Sequence, residues 1–116
     1  MESLYTQEIE MLWEKCGQID MSETLDDLKT DIAKFSNLIA PCRVWLTGRN
    51  KLKNIKHSAD SHAIKHQAER DIGQWVPHSV FVLSAYLEGF ELSKSKLRGD
   101  VYAVSTNIGA KKRLVV

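Results

Sequence analysis

The sequence predicts a mostly α protein of the α+β class: an N-terminal antiparallel helical hairpin, then a helix-turn-helix-like pair closed by a β-hairpin. Three observations predict it. Apolar residues recur at 3-4 spacing over the first forty residues and again over residues 64–75. Pro77 and Gly89 bracket an apolar run as the start and end of a helix. A Gly99-Asp100 pair then separates two stretches of strand-forming composition.

The first helix is expected over residues 3–16. Tyr5, Ile9, Leu12 and Cys16 form one stripe with Trp13 beside it, and Gly17 ends it. Asp20 and Glu23 stand in capping-box spacing ahead of a second helix, whose Leu25, Leu28, Ile32, Phe35 and Ile39 share a face. Asp26, Asp27 and Asp31 fall on its wet side. Two stripes and a short turn form a packed hairpin, with a homodimer through the same stripes as the alternative. The pattern is too short for a coiled coil.

Pro41 disfavours helical geometry at Ala40, so the second helix ends or kinks there. Cys42–Gly48 reads as a helical turn or two, or as a short strand, with Val44, Trp45 and Leu46 plugging the core. The organisation expected is an acidic hairpin at 1–47, a basic linker at 48–57, the helix-turn-helix and β-hairpin unit at 58–108, and a basic tail at 109–116. In the third segment Ser58 is the expected N-cap. Ile64, Ala68, Ile72 and Trp75 point inward, and His62, Lys65, His66, Glu69 and Arg70 fall outside that stripe. The helix at 77–88 is apolar nearly all round, which marks it as buried. The strands of the hairpin are expected in "FELS" and "VYAVST", on either side of "KSKLRGD".

The net charge of +1 conceals a strong asymmetry. Residues 1–41 hold nine Asp and Glu against three Lys; residues 42–116 hold thirteen Lys and Arg against six acids. Such separation points to a polyanion-facing surface, or to two halves that attract each other internally. The two cysteines are too few for a disulfide framework and fit a reducing compartment, most simply a cytoplasm. No apolar run is long enough to span a membrane, and the acidic, amphipathic N-terminus is not a signal peptide. No membrane partner is expected.

Three of the four histidines fall within "KHSADSHAIKHQAER", residues 56–70. His62 and His66, at i and i+4, can chelate a divalent ion, and His57, Asp60 or Cys42 could supply a third ligand. There is no CxxC or HExxH, so no metal is expected. His57, Asp60 and His62 can be drawn as a base and its orienter, but no nucleophile accompanies them. The six glycines are scattered and form no phosphate-cradling loop. The expectation is therefore a non-enzymatic protein without a cofactor. Arg43, Arg49, Lys51, Lys53, Lys56, His62, Lys65, His66 and Arg70 are the candidate contacts to a DNA or RNA backbone. The alternative partner is a host protein complex with a basic groove, met by Glu23, Asp26, Asp27 and Asp31 of the acidic lobe.

Ser61-His62-Ala63-Ile64-Lys65-His66-Gln67-Ala68-Glu69, then Gly73-Gln74-Trp75-Val76, then Gly89-Phe90, resembles a motif of small bacteriophage and mobile-element proteins. That pattern is roughly S-[aromatic]-x-[aliphatic]-K-H-x-x-E, then G-x-[aromatic]-V, then a helix ending in G-[aromatic]. His62 departs from the aromatic position, and His78-Ser79 stands where an Asn-Gly pair is usual. The resemblance covers residues 58–90 and implies a phage or mobile-element setting in the cytoplasm of a bacterial host, with Lys65, His66 and Glu69 as signature positions. In that setting the nucleic-acid reading becomes a regulatory protein, and the alternative becomes a host-interference inhibitor of the anti-CRISPR kind.

Overall fold

Five α-helices and two small antiparallel sheets make up the computed structural model, which describes residues 5–113. The class is α+β, as the sequence predicts. Helix α1 (Thr6–Cys16) buries Ile9, Leu12 and Cys16, and Gly17 caps its end. Residues 3 and 4, expected to begin this helix, lie outside the described residues.

Helix α2 (Leu25–Lys34) is capped by Thr24, not by Asp20. The Thr24 hydroxyl accepts from the Asp27 N–H, and the Asp27 carboxylate accepts from the Thr24 N–H, both at 3.1 Å. Asp20 instead occupies a left-handed turn position, φ 54°, and its N–H donates to the Tyr102 carbonyl. Asp and Asn tolerate that conformation best among non-glycine residues. The helix stops at Lys34, one turn earlier than its stripe suggests. A 3₁₀ turn (Ser36–Leu38) redirects the chain into α3 (Ile39–Thr47). Pro41 is the third residue of α3. Its missing N–H falls in the first turn, where no intrahelical acceptor exists. The proline thus marks the start of a helix rather than the end of the one before. Leu46 is fully buried and Trp45 half-buried, but Val44 is 72% exposed and does not plug the core.

The expected basic linker is a strand. β1 (Arg49–Asp60) pairs antiparallel with β4 (Ser105–Lys111). The register runs Arg49↔Lys111, Lys51↔Ile108, Lys56↔Thr106 and Asp60↔Ser105, with an irregularity in each interval. Twelve residues therefore face seven, and the surplus of β1 bulges outward. Strand β4 is buried through Gly109 because it is covered on both edges. On the second edge Leu92 bridges Thr106, Ser93 N–H donates to the Ser105 carbonyl, and Asn107 N–H donates to the Glu91 carbonyl. At Gly109 a Cβ would sit 2.9 Å from Leu52 Cδ2 and 3.0 Å from the Asn50 carbonyl oxygen, so the two strands approach too closely for any side chain. Residues 109–111 are thus strand, not tail; the last three residues of the expected tail lie outside the described chain.

Helix α4 (Ser61–Ile72) starts two residues later than Ser58 would place it, with Asp60 as its cap: the carboxylate accepts from the Ala63 N–H at 3.0 Å. Ile64 and Ala68 point inward as expected. Trp75 lies past the helix end, is 61% exposed, and packs edge-on to Phe35. Helix α5 (His78–Leu87) follows, and its first eight residues are all buried. It packs against α1, α2, α3 and α4 and is the centre of the molecule. This is the burial that its all-round apolar sequence predicts, and a helix so enclosed cannot enter a DNA groove. The terminal hairpin is β2 (Lys96–Arg98) and β3 (Val101–Ala103), with Gly99 at φ 61° taking the first corner of a two-residue turn. Its first strand lies within "KSKLR" rather than "FELS".

Two substitutions separate local from central contributions. Thr24→Ala should cost about 1 kcal/mol in urea unfolding through the lost cap. Phe81→Ala, at a fully buried site, should cost about 3–5 kcal/mol.

Candidate functional site

The expected cationic set does not form one free surface. Arg43 Nε donates to Glu88 Oε2 at 2.6 Å, and its Nη1 donates to the Tyr5 hydroxyl. Arg49 donates to the Gly109 carbonyl and to Gln67 Oε1 and lies over the Trp45 ring. Both arginines tie elements together. Lys65 is a correction: it is 6% exposed, not on the wet face of α4. Its ammonium donates to Glu69 Oε2 at 3.1 Å and to the Val76 carbonyl at 3.2 Å. The pull of these two acceptors turns the long side chain toward the α4–α5 junction.

The free cations lie instead on β1 and the hairpin. Lys51 is exposed above the Phe90 ring, where it helps line a cleft of about 300 Å³ with Arg49, Glu88 and Lys112. Lys53 and Lys56 are exposed on the bulged strand and pair with no described residue. Against this strand sits the hairpin: Lys96 Nζ is 3.3 Å from His57 Nδ1, and Arg98 donates to the His57 carbonyl. The nearby acid is Asp60, 3.7 Å from Arg98, whose other oxygen already caps α4. Lys96 and Arg98 were absent from the expected set because their approach to His57 depends on tertiary packing of the hairpin. On α4, Arg70 is exposed and unpaired with described residues, and His66 is exposed.

The charge asymmetry persists in three dimensions. Lys29 pairs with Glu10 within the acidic part. Arg43–Glu88, Lys65–Glu69 and Arg98–Asp60 all close within the basic part, as does the hydrogen bond of His66 to Glu69. Among the described residues no ion pair joins an acid of residues 1–41 to a base of residues 42–116. In the acidic lobe, Asp27 is held by the Thr24 cap and Asp31 accepts from the Ser22 hydroxyl at 3.3 Å. Glu23 and Asp26 remain exposed, beside Met21, which is 69% exposed.

A second polar group lies where α4, α5 and β4 meet. The Val104 N–H donates to Ser61 Oγ at 2.9 Å, so the Ser61 hydroxyl is free to donate to His78 Nε2 at 2.6 Å. His78 is neutral at ordinary pH. Burial pushes it down to about 3, and the Lys65 ammonium adds to the shift. Glu69 accepts from the Val76 N–H, from Lys65 and from His66 Nδ1. Burial alone would raise its carboxyl, but these three donors outweigh it and hold it below the usual range. The positions Ser61, Lys65, His66 and Glu69 of the sequence motif thus belong to one junction. Ser61 is buried, its oxygen already carries two hydrogen bonds, and it faces no described cavity, so the contact reads as packing rather than nucleophilic chemistry.

His57, Asp60 and His62 form no triad: His57 meets the hairpin and Asp60 caps a helix. Among the described residues no three metal-ligating side chains converge. Cys16 and Cys42 are buried free thiols, and burial pushes both up to about 11, away from thiolate chemistry. No described helix is long and apolar enough to cross a membrane. In comparisons with known proteins, no family model, curated protein or solved structure matches the chain.

The buried histidine sets a pH dependence with a definite sign. Unfolded, the ring takes up a proton near its ordinary 6.5; folded, it stays neutral down to about 3. Its contribution is full above pH 6.5 and is lost progressively as pH falls toward 3. Urea unfolding at pH 7 and pH 5 should show a loss of stability that is visibly smaller in His78→Gln. Glu69, with an ordinary value of 4.5, adds only the beginning of its own loss over this interval and does so equally in both proteins, so the difference between them reports the histidine.

Proposed function

We propose that the protein binds the backbone of a nucleic acid through the cationic face of β1 and the β2–β3 hairpin, as a non-enzymatic regulatory protein of a phage or other mobile element. The observation that carries this reading is the unanswered charge: no ion pair among the described residues neutralises the basic part with the acidic one. Lys51, Lys53, Lys56 and Lys96 then gain most from a polyanion, because phosphate binding releases condensed counterions. A two-stranded ribbon is a shape that fits a groove, and Lys51, Lys53 and Lys56 are exposed along its irregular outer strand. Lys65, Arg43 and Arg49 are not part of this surface, because each is already held by internal acceptors.

Retention of labelled DNA or RNA should fall steeply as salt rises from about 50 to 200 mM. The variant Lys53→Glu/Lys56→Glu/Lys96→Glu should bind weakly and flatten the log–log salt slope by about 3. An unchanged slope would show that these residues face only water.

A second reading rests on the tip of the helical hairpin. Met21 is an exposed apolar anchor flanked by Glu23 and Asp26, which suits the basic groove of a host protein complex. On that reading Met21→Ala/Glu23→Lys/Asp26→Lys abolishes a nuclease-treated pull-down from host lysate, while the lysine variant leaves it intact. The reverse pattern would reject the tip as the docking site.

A further inference from the structure

We propose that His62 and His66 form a two-imidazole chelate for a divalent first-row transition ion, with Glu69 as its outer carboxylate. The two Nε2 atoms stand 3.3 Å apart. Two nitrogens bound to zinc at about 2.0–2.1 Å with tetrahedral angles are separated by about 3.3 Å. The rings are held at 80° to each other with centroids 4.6 Å apart, so little rearrangement is needed to admit an ion between the nitrogens.

The tautomer of His66 is already the one a metal requires. Glu69 Oε1 accepts from His66 Nδ1 at 2.9 Å, which leaves the Nε2 lone pair facing His62. This is the carboxylate–histidine arrangement that orients metal ligands in known sites and raises their basicity. Glu69 is itself fixed by the Val76 N–H and by Lys65, so the ring cannot swing freely. The Lys65 ammonium lies below, but it shares its charge with the second oxygen of the same carboxylate.

His62 supplies the independent observation. With His66 neutral and its proton on Nδ1, the His62 Nε2–H donates to His66 Nε2, and His62 Nδ1 is buried without a partner. Binding an ion through Nε2 moves the His62 proton to Nδ1. That ring neighbours His78, centroid to centroid 5.9 Å, whose Nδ1 is also buried without a partner. The Nδ1–H so formed on His62 has no acceptor among the described residues, so metal coordination must outweigh the burial of that donor. His66 is 58% exposed, so water completes the coordination on the outer side. Two imidazoles with open positions select zinc, nickel or copper over magnesium or calcium.

The test is a calorimetric titration of the full chain with ZnCl₂ and NiCl₂, with MgCl₂ as control, followed by nitrogen NMR of the imidazole rings. One ion should bind per chain, and His62 should change from the Nε2–H to the Nδ1–H tautomer while His66 keeps Nδ1–H. His66→Gln, at an exposed position that leaves the core intact, should weaken binding at least about tenfold, as loss of one tooth of a chelate must. Glu69→Gln should weaken it by about 10–100-fold. Should that variant fail to fold, His66→Gln decides the matter. His57→Gln should change nothing. Absence of saturable binding, binding that survives in His66→Gln, or binding lost in His57→Gln overturns the proposal. None of these outcomes bears on the salt-dependent binding of nucleic acid by β1 and the hairpin.

Discussion

The enclosure of α5 is the constraint on which the rest of the structure depends. Its sequence offers no polar face, so every side of it must be covered. Four helices do so, and their number and short connections follow from that requirement. Full enclosure has a cost at the helix start, where His78 and Ser79 are carried inward with it. A buried imidazole without a partner would weaken the core, and the Ser61 hydroxyl answers it. Because Ser61 also accepts from the Val104 N–H, that one contact joins α5, α4 and the entry to β4. Helix burial and sheet position are thus coupled through a single serine.

The sequence disclosed what depends on local periodicity and punctuation. The helices at 6–16, 25–34, 61–72 and 78–87 and the Gly99-Asp100 turn are all legible in spacing and in glycine and proline placement. What depended on pairing across distance was not. β1 shows no alternation because its bulges break the period of two, and its lysines read as a solvated linker. Its partner β4 lies some fifty residues away. Lys65 was misplaced for a similar reason: on a helical wheel it falls outside the apolar stripe, yet acceptors from Glu69 and the Val76 carbonyl draw it inward. A buried ion pair at i, i+4 cannot be distinguished from an exposed one by spacing alone. Lys96 and Arg98 meet β1 at His57 only through the packing of the hairpin, which no local pattern encodes.

The separation of charge suits a protein that meets something larger than itself. Internal ion pairs at a surface contribute little, so failure to form them across the two halves sacrifices little stability. It does preserve two faces of opposite potential, one at the helical tip and one along the ribbon. Such a field orients a molecule on approach and raises encounter rates with charged partners. The polar junction between α4, α5 and β4 lies apart from both faces in its chemistry: its groups are neutral or paired, and its exposed part is the edge of two imidazoles.

The loose register of β1 has a consequence for solubility. A strand that is paired on one side only presents open backbone groups to any other extended chain. In β1 the surplus residues bend that outer edge away from straightness at three intervals, and lysines punctuate it. Neither feature favours the flat, uncharged geometry from which strands stack between molecules. The irregularity that hides β1 from its sequence therefore also shields it from self-association, and lets a strand stay rich in contacts without becoming a template for aggregation.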